Sequence, residues 1–139
     1  MTTKELALDH FRRVNAGDVA GAAALVAEDC VHHGALPQAQ GRAGFTTIIT
    51  KLRAAFPDLQ MKVEDVIVEG DRAMVRLTMT GTNQGPLTFV RLQLPATGKT
   101  VTVDQIHVLR VADNRIVETW FGQDQLALFR QLGVTIGAA

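Results

Sequence analysis

The spacing of apolar residues changes once along the chain, close to Pro57. Before this proline, apolar residues recur every three or four positions, which is the spacing of an amphipathic helix. Thr2 and Glu5 have the spacing of a capping box, and Asp18 can cap a second helix. We therefore predict three N-terminal helices and a short extended piece at residues 30–33. The predicted helices span residues 6–14, 19–27 and 45–56.

After Pro57, apolar and polar residues alternate, and β-branched residues become frequent, which predicts strands. Short turns such as Gly70-Asp71 and Asp113-Asn114 favour antiparallel pairing of successive strands. A last helical turn or two is predicted at residues 124–132. The predicted strands span residues 59–68, 72–80, 87–94, 100–111 and 115–121.

Helices followed by a run of strands are the order of an α+β domain. A chain of 139 residues suits one domain and is too short for two, so we predict a single domain over residues 1–139. A strongly twisted sheet curls around helices that pack on one of its faces. Such a sheet leaves a pocket between the two layers, where a small molecule can bind.

The composition excludes several classes of protein. The 14 basic and 14 acidic residues cancel, so the chain lacks the positive surface of a nucleic-acid-binding protein. Cys30 is the only cysteine, which excludes an internal disulfide and a cysteine-rich metal site. No apolar run reaches the ~18 residues of a membrane helix, and no signal peptide is recognisable, so we expect a cytoplasmic protein. Without tyrosine, no phenol side chain can act as an acid.

The strand predicted at residues 100–111 carries the most informative side chains. Alternation places Gln105 and His107 on the same, more apolar face, which we expect to point inward. A histidine there could act as an acid or base, because its ordinary pKa of ~6.5 is close to neutrality. A core histidine that only hydrogen-bonds to the backbone is the more common situation, so sequence alone leaves both interpretations open.

His32 and His33 are adjacent on a predicted extended piece, so at most one of them can share a pocket with His107. Two exposed polar residues are the simpler interpretation. No metal-binding spacing connects the histidines, so we predict no metal site. Asp65 alternates with apolar residues and could be a base if buried, but we favour an exposed position at the sheet edge.

The wall of the predicted pocket can be assigned in part. Thr119 and Phe121 lie on one side of the last strand. Arg76 and Arg91 could bind an anionic or phenolate oxygen, although such arginines more often lie on the solvent face and pair with carboxylates. The residues that we expect to contact a substrate are Phe45, Phe89, Arg91, Leu109, Thr119 and Phe121.

Several sequence blocks, in order, resemble the SnoaL-like polyketide cyclases and ester cyclases of the nuclear transport factor 2-like superfamily. The resemblance covers nearly the whole chain. The blocks are Phe56-Pro57-Asp58-Leu59, residues 63–71 (VEDVIVEGD), Gly81-Thr82, residues 95–99 (PATGK), residues 116–120 (IVETW) and residues 130–133 (RQLG).

The resemblance implies a cone-shaped α+β barrel, in which three N-terminal helices close a curved antiparallel sheet. It also implies intramolecular aldol condensation of an aromatic polyketide without a metal or cofactor. The family's histidine corresponds to His107, and a polar residue after the second helix falls near His32. The family's acid/base aspartate corresponds to Phe121, which cannot transfer a proton.

Because of Phe121, we favour a branch of the same family that hydroxylates anthracycline-type rings. There a pocket base would form a phenolate that reacts with oxygen, and His107, assisted by Gln105 or His32, would suit this role. A partner reductase would then be implied. Aldol cyclisation, another reaction on the same fold, and a non-catalytic binding or assembly domain remain alternatives.

The face of the predicted sheet opposite the pocket carries a group of apolar side chains. Such a surface is too large to leave in water, so we expect a homodimer that forms through the sheet. The residues are Thr102, Ile106, Val108 and Trp120.

Overall fold

A computed structural model describes residues 1–34, 39–89 and 92–135. The helices are α1 (Thr3–Asn15), α2 (Val19–Ala24), α3 (Gly41–Ala55) and α4 (Gln125–Gln131). The strands are β1 (Val26–His33), β2 (Gln60–Glu69), β3 (Arg72–Thr82), β4 (Leu87–Phe89), β5 (Leu92–Leu94), β6 (Thr100–Ala112) and β7 (Arg115–Gln123). None of the helices in these ranges is both long and apolar enough to cross a bilayer.

The predicted α+β architecture is confirmed. Five strands form a curved sheet in the order β1-β7-β6-β3-β2, and helices pack on its concave face. Neighbouring strands are antiparallel except β1 and β7, which are parallel. Asp113 and Asn114, between β6 and β7, both have positive φ, as a two-residue hairpin turn requires.

The predicted caps of the first two helices form, whereas the third helix begins at Gly41, four residues before the predicted start at residue 45. The Thr2 side chain accepts a hydrogen bond from the Glu5 N–H, and the Glu5 carboxylate accepts one from the Thr2 N–H. Asp18 caps α2 by accepting a hydrogen bond from the Gly21 N–H. These bonds satisfy N–H groups that the first turn of a helix leaves free.

Two other predicted elements are also wrong in part. The second helix ends at Ala24 instead of continuing to residue 27, because the chain from Val26 onward pairs with β7. The short extended piece at residues 30–33 is therefore the end of a full strand that joins the sheet in parallel. The strand predicted at residues 87–94 is a hairpin of β4 and β5, which pair with each other outside the main sheet.

The core lies between the helices and the concave face of the sheet. The inward residues of β6 are those that alternation predicts, and Val101, Val103 and Leu109 are at most 2% exposed. Cys30 is equally buried, and burial raises the pKa of its thiol to about 11, so it behaves as a small apolar residue. The core side chains do not fill all of the space between the helices and the sheet, and a cavity remains there.

Candidate active site

The cavity has a volume of about 820 Å³, near the upper end for small-molecule sites. Its walls are α1, α3 and the concave face of the sheet, and most of its lining side chains are apolar. Among the described residues, no carboxylate, lysine or arginine lines it. The polar residues that line it are His10, His32, His33, Gln105, His107, Thr119, Gln123 and Gln125.

Strand register brings the polar residues of the sheet wall together. His107 on β6 lies opposite Phe121 on β7, and Gln105 lies opposite Gln123. One step further along the sheet, Thr119 of β7 lies opposite His32 of β1. Because side chains of paired residues project from the same face of a sheet, all of them point toward the helices.

A chain of hydrogen bonds fixes the protonation of His107. Gln105 Nε2 donates to Gln123 Oε1 at 3.0 Å, and Gln123 Nε2 donates to Gln125 Oε1. Gln105 Oε1 is therefore an acceptor, and His107 Nε2 donates to it at 2.9 Å. The proton of a neutral imidazole thus resides on Nε2. No described residue hydrogen-bonds to Nδ1 of His107, so the lone pair there is the site at which the ring can accept a proton.

Burial lowers the pKa of His107 to about 3, and the nearby His10 acts in the same direction. The ring is therefore neutral near pH 7. It contacts aromatic rings on two sides, with ring centroids 5.2 Å from Phe11 and 5.0 Å from Phe121. These contacts orient the imidazole within an apolar setting, as expected for a base that must be unprotonated before substrate binds.

Both His32 and His33 line the cavity, although at most one was expected to, and their rings have different partners. His32 Nδ1 is 2.8 Å from Thr119 Oγ1, and His32 Nε2 donates to the Gly41 carbonyl at 3.0 Å. Burial lowers its pKa, against the effect of that carbonyl. With both nitrogens bonded to the protein, His32 fixes part of the cavity wall. His33 instead binds Glu118 Oε2 at 2.7 Å and stacks on Trp120.

His10, on the inner face of α1, is a cavity histidine that the sequence analysis missed. Burial lowers its pKa to about 4, although a hydrogen bond to the backbone of Ala22 acts in the opposite direction. The spacing could have revealed it, because His10 falls on the stripe formed by Ala7, Phe11 and Val14. The apolar pattern alone gave no reason to include a histidine in that stripe.

Three kinds of comparison identify the family of this fold and cavity. The sequence model of the SnoaL-like polyketide cyclases matches residues 5–132. The chain belongs to the SnoaL-like polyketide cyclase family. It is 30% identical over 135 residues to the aklanonic acid methyl ester cyclase DauD of Streptomyces sp. (strain C5), covering 91% of this chain and 81% of that protein.

Solved structures agree with the family. AclR of Streptomyces galilaeus, a proposed hydroxylase, is 30% identical with a TM-score of 0.78, covering 94% of this chain and 95% of that chain. TsrD of Streptomyces laurentii is 27% identical with a TM-score of 0.81, covering 96% of both chains. The expected nuclear transport factor 2-like, cone-shaped fold is thereby confirmed.

Only some of the residues of this SnoaL-like chain that were predicted to contact a substrate are seen in the cavity wall. Phe45, Leu109, Thr119 and Phe121 line the cavity. Arg91 lies outside the described residues, and so does the side chain of Phe89. Their contact with a substrate remains a prediction.

Two carboxylates that could have acted in place of an aspartate at position 121, Asp124 and Asp65, do not line the cavity. Asp124 accepts a hydrogen bond from the Ala127 N–H and caps α4. Asp65 pairs with Arg76 at 2.7 Å on the surface, as the favoured interpretation predicted. Within the described part of the chain, no group of three or more His, Cys, Asp or Glu side chains could hold a metal ion.

The buried histidines make the stability of the fold sensitive to acid. Burial holds the pKa of His10 at about 4, below its ordinary value of 6.5, so the unfolded chain binds a proton that the folded chain does not. Stability is therefore full above about pH 6.5 and falls as the pH drops toward 4. We expect His10→Phe to reduce the slope of the unfolding free energy against pH by up to about 1.4 kcal/mol per pH unit. Urea unfolding across this range measures the slope, and an unchanged slope would contradict the shift.

Proposed function

We propose that this chain is an enzyme that tailors aromatic polyketides of the anthracycline type by hydroxylating an electron-rich ring. His107 removes the proton of a phenol or hydroquinone, and the resulting anion reacts with dioxygen. The observation that carries the proposal is the neutral His107, whose Nδ1 is bonded to no described residue and whose ring packs against Phe121, in a cavity whose described lining contains no carboxylate. The names of DauD and AclR suggest the ring system and the reaction.

The absence of a carboxylate from the described lining determines what kind of substrate this base can serve. An imidazolium ion at His107 is unfavourable in the empty cavity, because burial opposes its charge. The ion becomes favourable when an anion lies beside it, and the anion available is the one that the substrate leaves on losing its proton. His107 is therefore suited to acids whose conjugate base remains bound, such as a phenolate whose charge spreads over an aromatic ring.

The oxidation can be written in balanced steps. The ring carbon that carries phenolate charge forms a bond to dioxygen, which takes two electrons from the ring and becomes a peroxide. The proton held by His107 passes to the outer oxygen and gives a hydroperoxide. Two further electrons and two protons, supplied through a partner reductase, cleave the O–O bond and release water. Loss of the carbon-bound proton then restores the aromatic ring with a new hydroxyl group.

Aldol cyclisation is the second candidate function, and the 30% identity to DauD and to the cyclase DnrD of Streptomyces peucetius favours it. Cyclisation needs an acid that protonates the new alkoxide as well as a base. Phe121 cannot supply that proton, so the imidazolium of His107 would have to serve as both groups. We favour hydroxylation because the family's acid/base aspartate corresponds to Phe121 in this chain and because AclR, at 30% identity, is a proposed hydroxylase.

Isotopically labelled dioxygen distinguishes the two reactions. The purified protein is incubated with a dihydroxyanthraquinone, its reduced form and a chemical reductant, and the products are analysed by mass spectrometry. Hydroxylation adds one labelled oxygen atom. In parallel, aklanonic acid methyl ester tests cyclisation, which gives a product of unchanged mass. Cyclised product without labelled oxygen would overturn the hydroxylase proposal.

We further propose that two copies associate through the outer face of the sheet. Ile106 is 48% exposed there, and Val108 and Trp120 lie beside it. The Trp120 ring is only partly covered, by His33 on one strand and by the Arg72 guanidinium at 5.0 Å. Sedimentation at several concentrations tests this, and a monomer mass at every concentration would contradict it.

A further inference from the structure

His10 is a polar side chain on an otherwise apolar helix face. The inner face of α1 is formed by Leu6, Ala7, Phe11 and Val14, all at most 3% exposed. His10 lies among them and is 5% exposed, with its ring against the cavity. Folding alone would favour an apolar residue at this position, because burial of an imidazole removes its nitrogens from water.

Hydrogen bonding within the protein compensates for the burial of the His10 ring only in part, through the backbone of Ala22. Its Nδ1 is buried and has no hydrogen-bond partner among the described residues. Two other histidines that line the cavity are bonded to the protein, His32 through Thr119 and His107 through Gln105. A buried polar group without a partner destabilises the fold unless something else binds it.

The position of His10 relative to His107 suggests what binds it. Both imidazoles lie 5.2 Å from the ring of Phe11, so they are at most twice that distance apart. His10 projects from the helical wall and His107 from the sheet wall. The ring of Phe45 is 5.0 Å from His10 and adds an aromatic surface on the same wall. A planar ligand beside Phe11 can therefore reach one imidazole on each wall.

We propose that His10 is a ligand-binding residue that exchanges a hydrogen bond with a second hydroxyl group of the aromatic ligand, away from the hydroxyl that His107 deprotonates. A hydroxyl group both donates and accepts, so it fits either neutral form of the imidazole. The ligand class is thus an aromatic ring system with at least two hydroxyl groups on different edges. This inference rests on the aromatic substrate of the proposed function but is independent of the reaction.

The test compares two probes that differ in their hydroxyl groups, 1,5-dihydroxynaphthalene and naphthalene. Their fluorescence reports binding to the wild type and to His10→Phe, which keeps the aromatic bulk and removes the nitrogens. We expect His10→Phe to weaken binding of the dihydroxy probe about tenfold, the usual effect of losing one hydrogen bond to a neutral group. Binding of naphthalene should change by less than about twofold, because a phenyl ring replaces the imidazole.

Two further variants separate hydrogen bonding from packing. His10→Gln keeps a donor and an acceptor and should recover part of the affinity for the dihydroxy probe. Phe45→Leu removes aromatic surface and should weaken both probes to a similar extent. Equal weakening of both probes in His10→Phe, or no weakening of either, would overturn the role of His10. Failure of both probes to bind the wild type would overturn the aromatic substrate class itself.

Discussion

The His107→Ala variant is expected to hydroxylate an aromatic substrate about 10²–10⁴ times more slowly than the wild type, the usual contribution of a positioned general base. No described residue that lines the cavity can replace it directly. Both nitrogens of His32 are occupied by Thr119 and Gly41, and His33 pairs with Glu118. His10 lies on the helical wall. Incorporation of labelled oxygen over time measures the rate.

A loss of activity must be distinguished from a loss of structure. Melting curves and binding of 1,5-dihydroxynaphthalene show whether His107→Ala retains the cavity. Asp65→Asn is a matched control, because Asp65 was a candidate base and the structure places it in an exposed pair with Arg76. We expect this control to keep wild-type turnover. Turnover by His107→Ala at the wild-type rate would remove His107 from the mechanism, and with it the proposed proton transfer.

The sheet wall of this site could be predicted from sequence because it depends on local alternation. Once the strand at Thr100–Ala112 is recognised, Gln105 and His107 must share a face, and the apolar residues around them decide which face is buried. The neighbouring strand adds Thr119 and Phe121 by the same rule. The turn at Asp113-Asn114 starts the pairing, but a register shift between Val111 and Arg110 moves the pairs beyond it by one residue and places Phe121 opposite His107. That shift could not be predicted from the turn.

The rest of the site depends on contacts between distant parts of the chain. The second helix gives way to β1 at Val26 because Val26 pairs with Ile116, a partner 90 positions away that local propensity does not reveal. The same pairing carries His32 to Thr119. His10 was missed for a related reason, since its role depends on facing a cavity and not a solid core, and no pattern along α1 separates these two environments.

Replacing Phe121 with aspartate is expected to raise the pKa of His107 from about 3 by roughly 1–3 units. The two rings are 5.0 Å apart, so a carboxylate at position 121 would lie beside the imidazole and favour its protonated form. The sign follows from the charge, because an anion stabilises imidazolium and leaves neutral imidazole almost unaffected. Titration of the imidazole resonances by NMR measures the shift, and Phe121→Asn separates charge from the loss of the ring.

The Phe121→Asp variant also tests whether the side chain at the position of the family's acid/base residue selects the reaction. In this variant the carboxylate stabilises the imidazolium of His107 together with the substrate anion, and the aspartate is a second group that can transfer a proton. We expect labelled-oxygen incorporation to fall and cyclisation of aklanonic acid methyl ester to rise, whereas Phe121→Asn should gain no cyclisation. A raised pKa without any change in the ratio of the two products would show that the side chain at position 121 controls the charge of His107 but does not select the reaction.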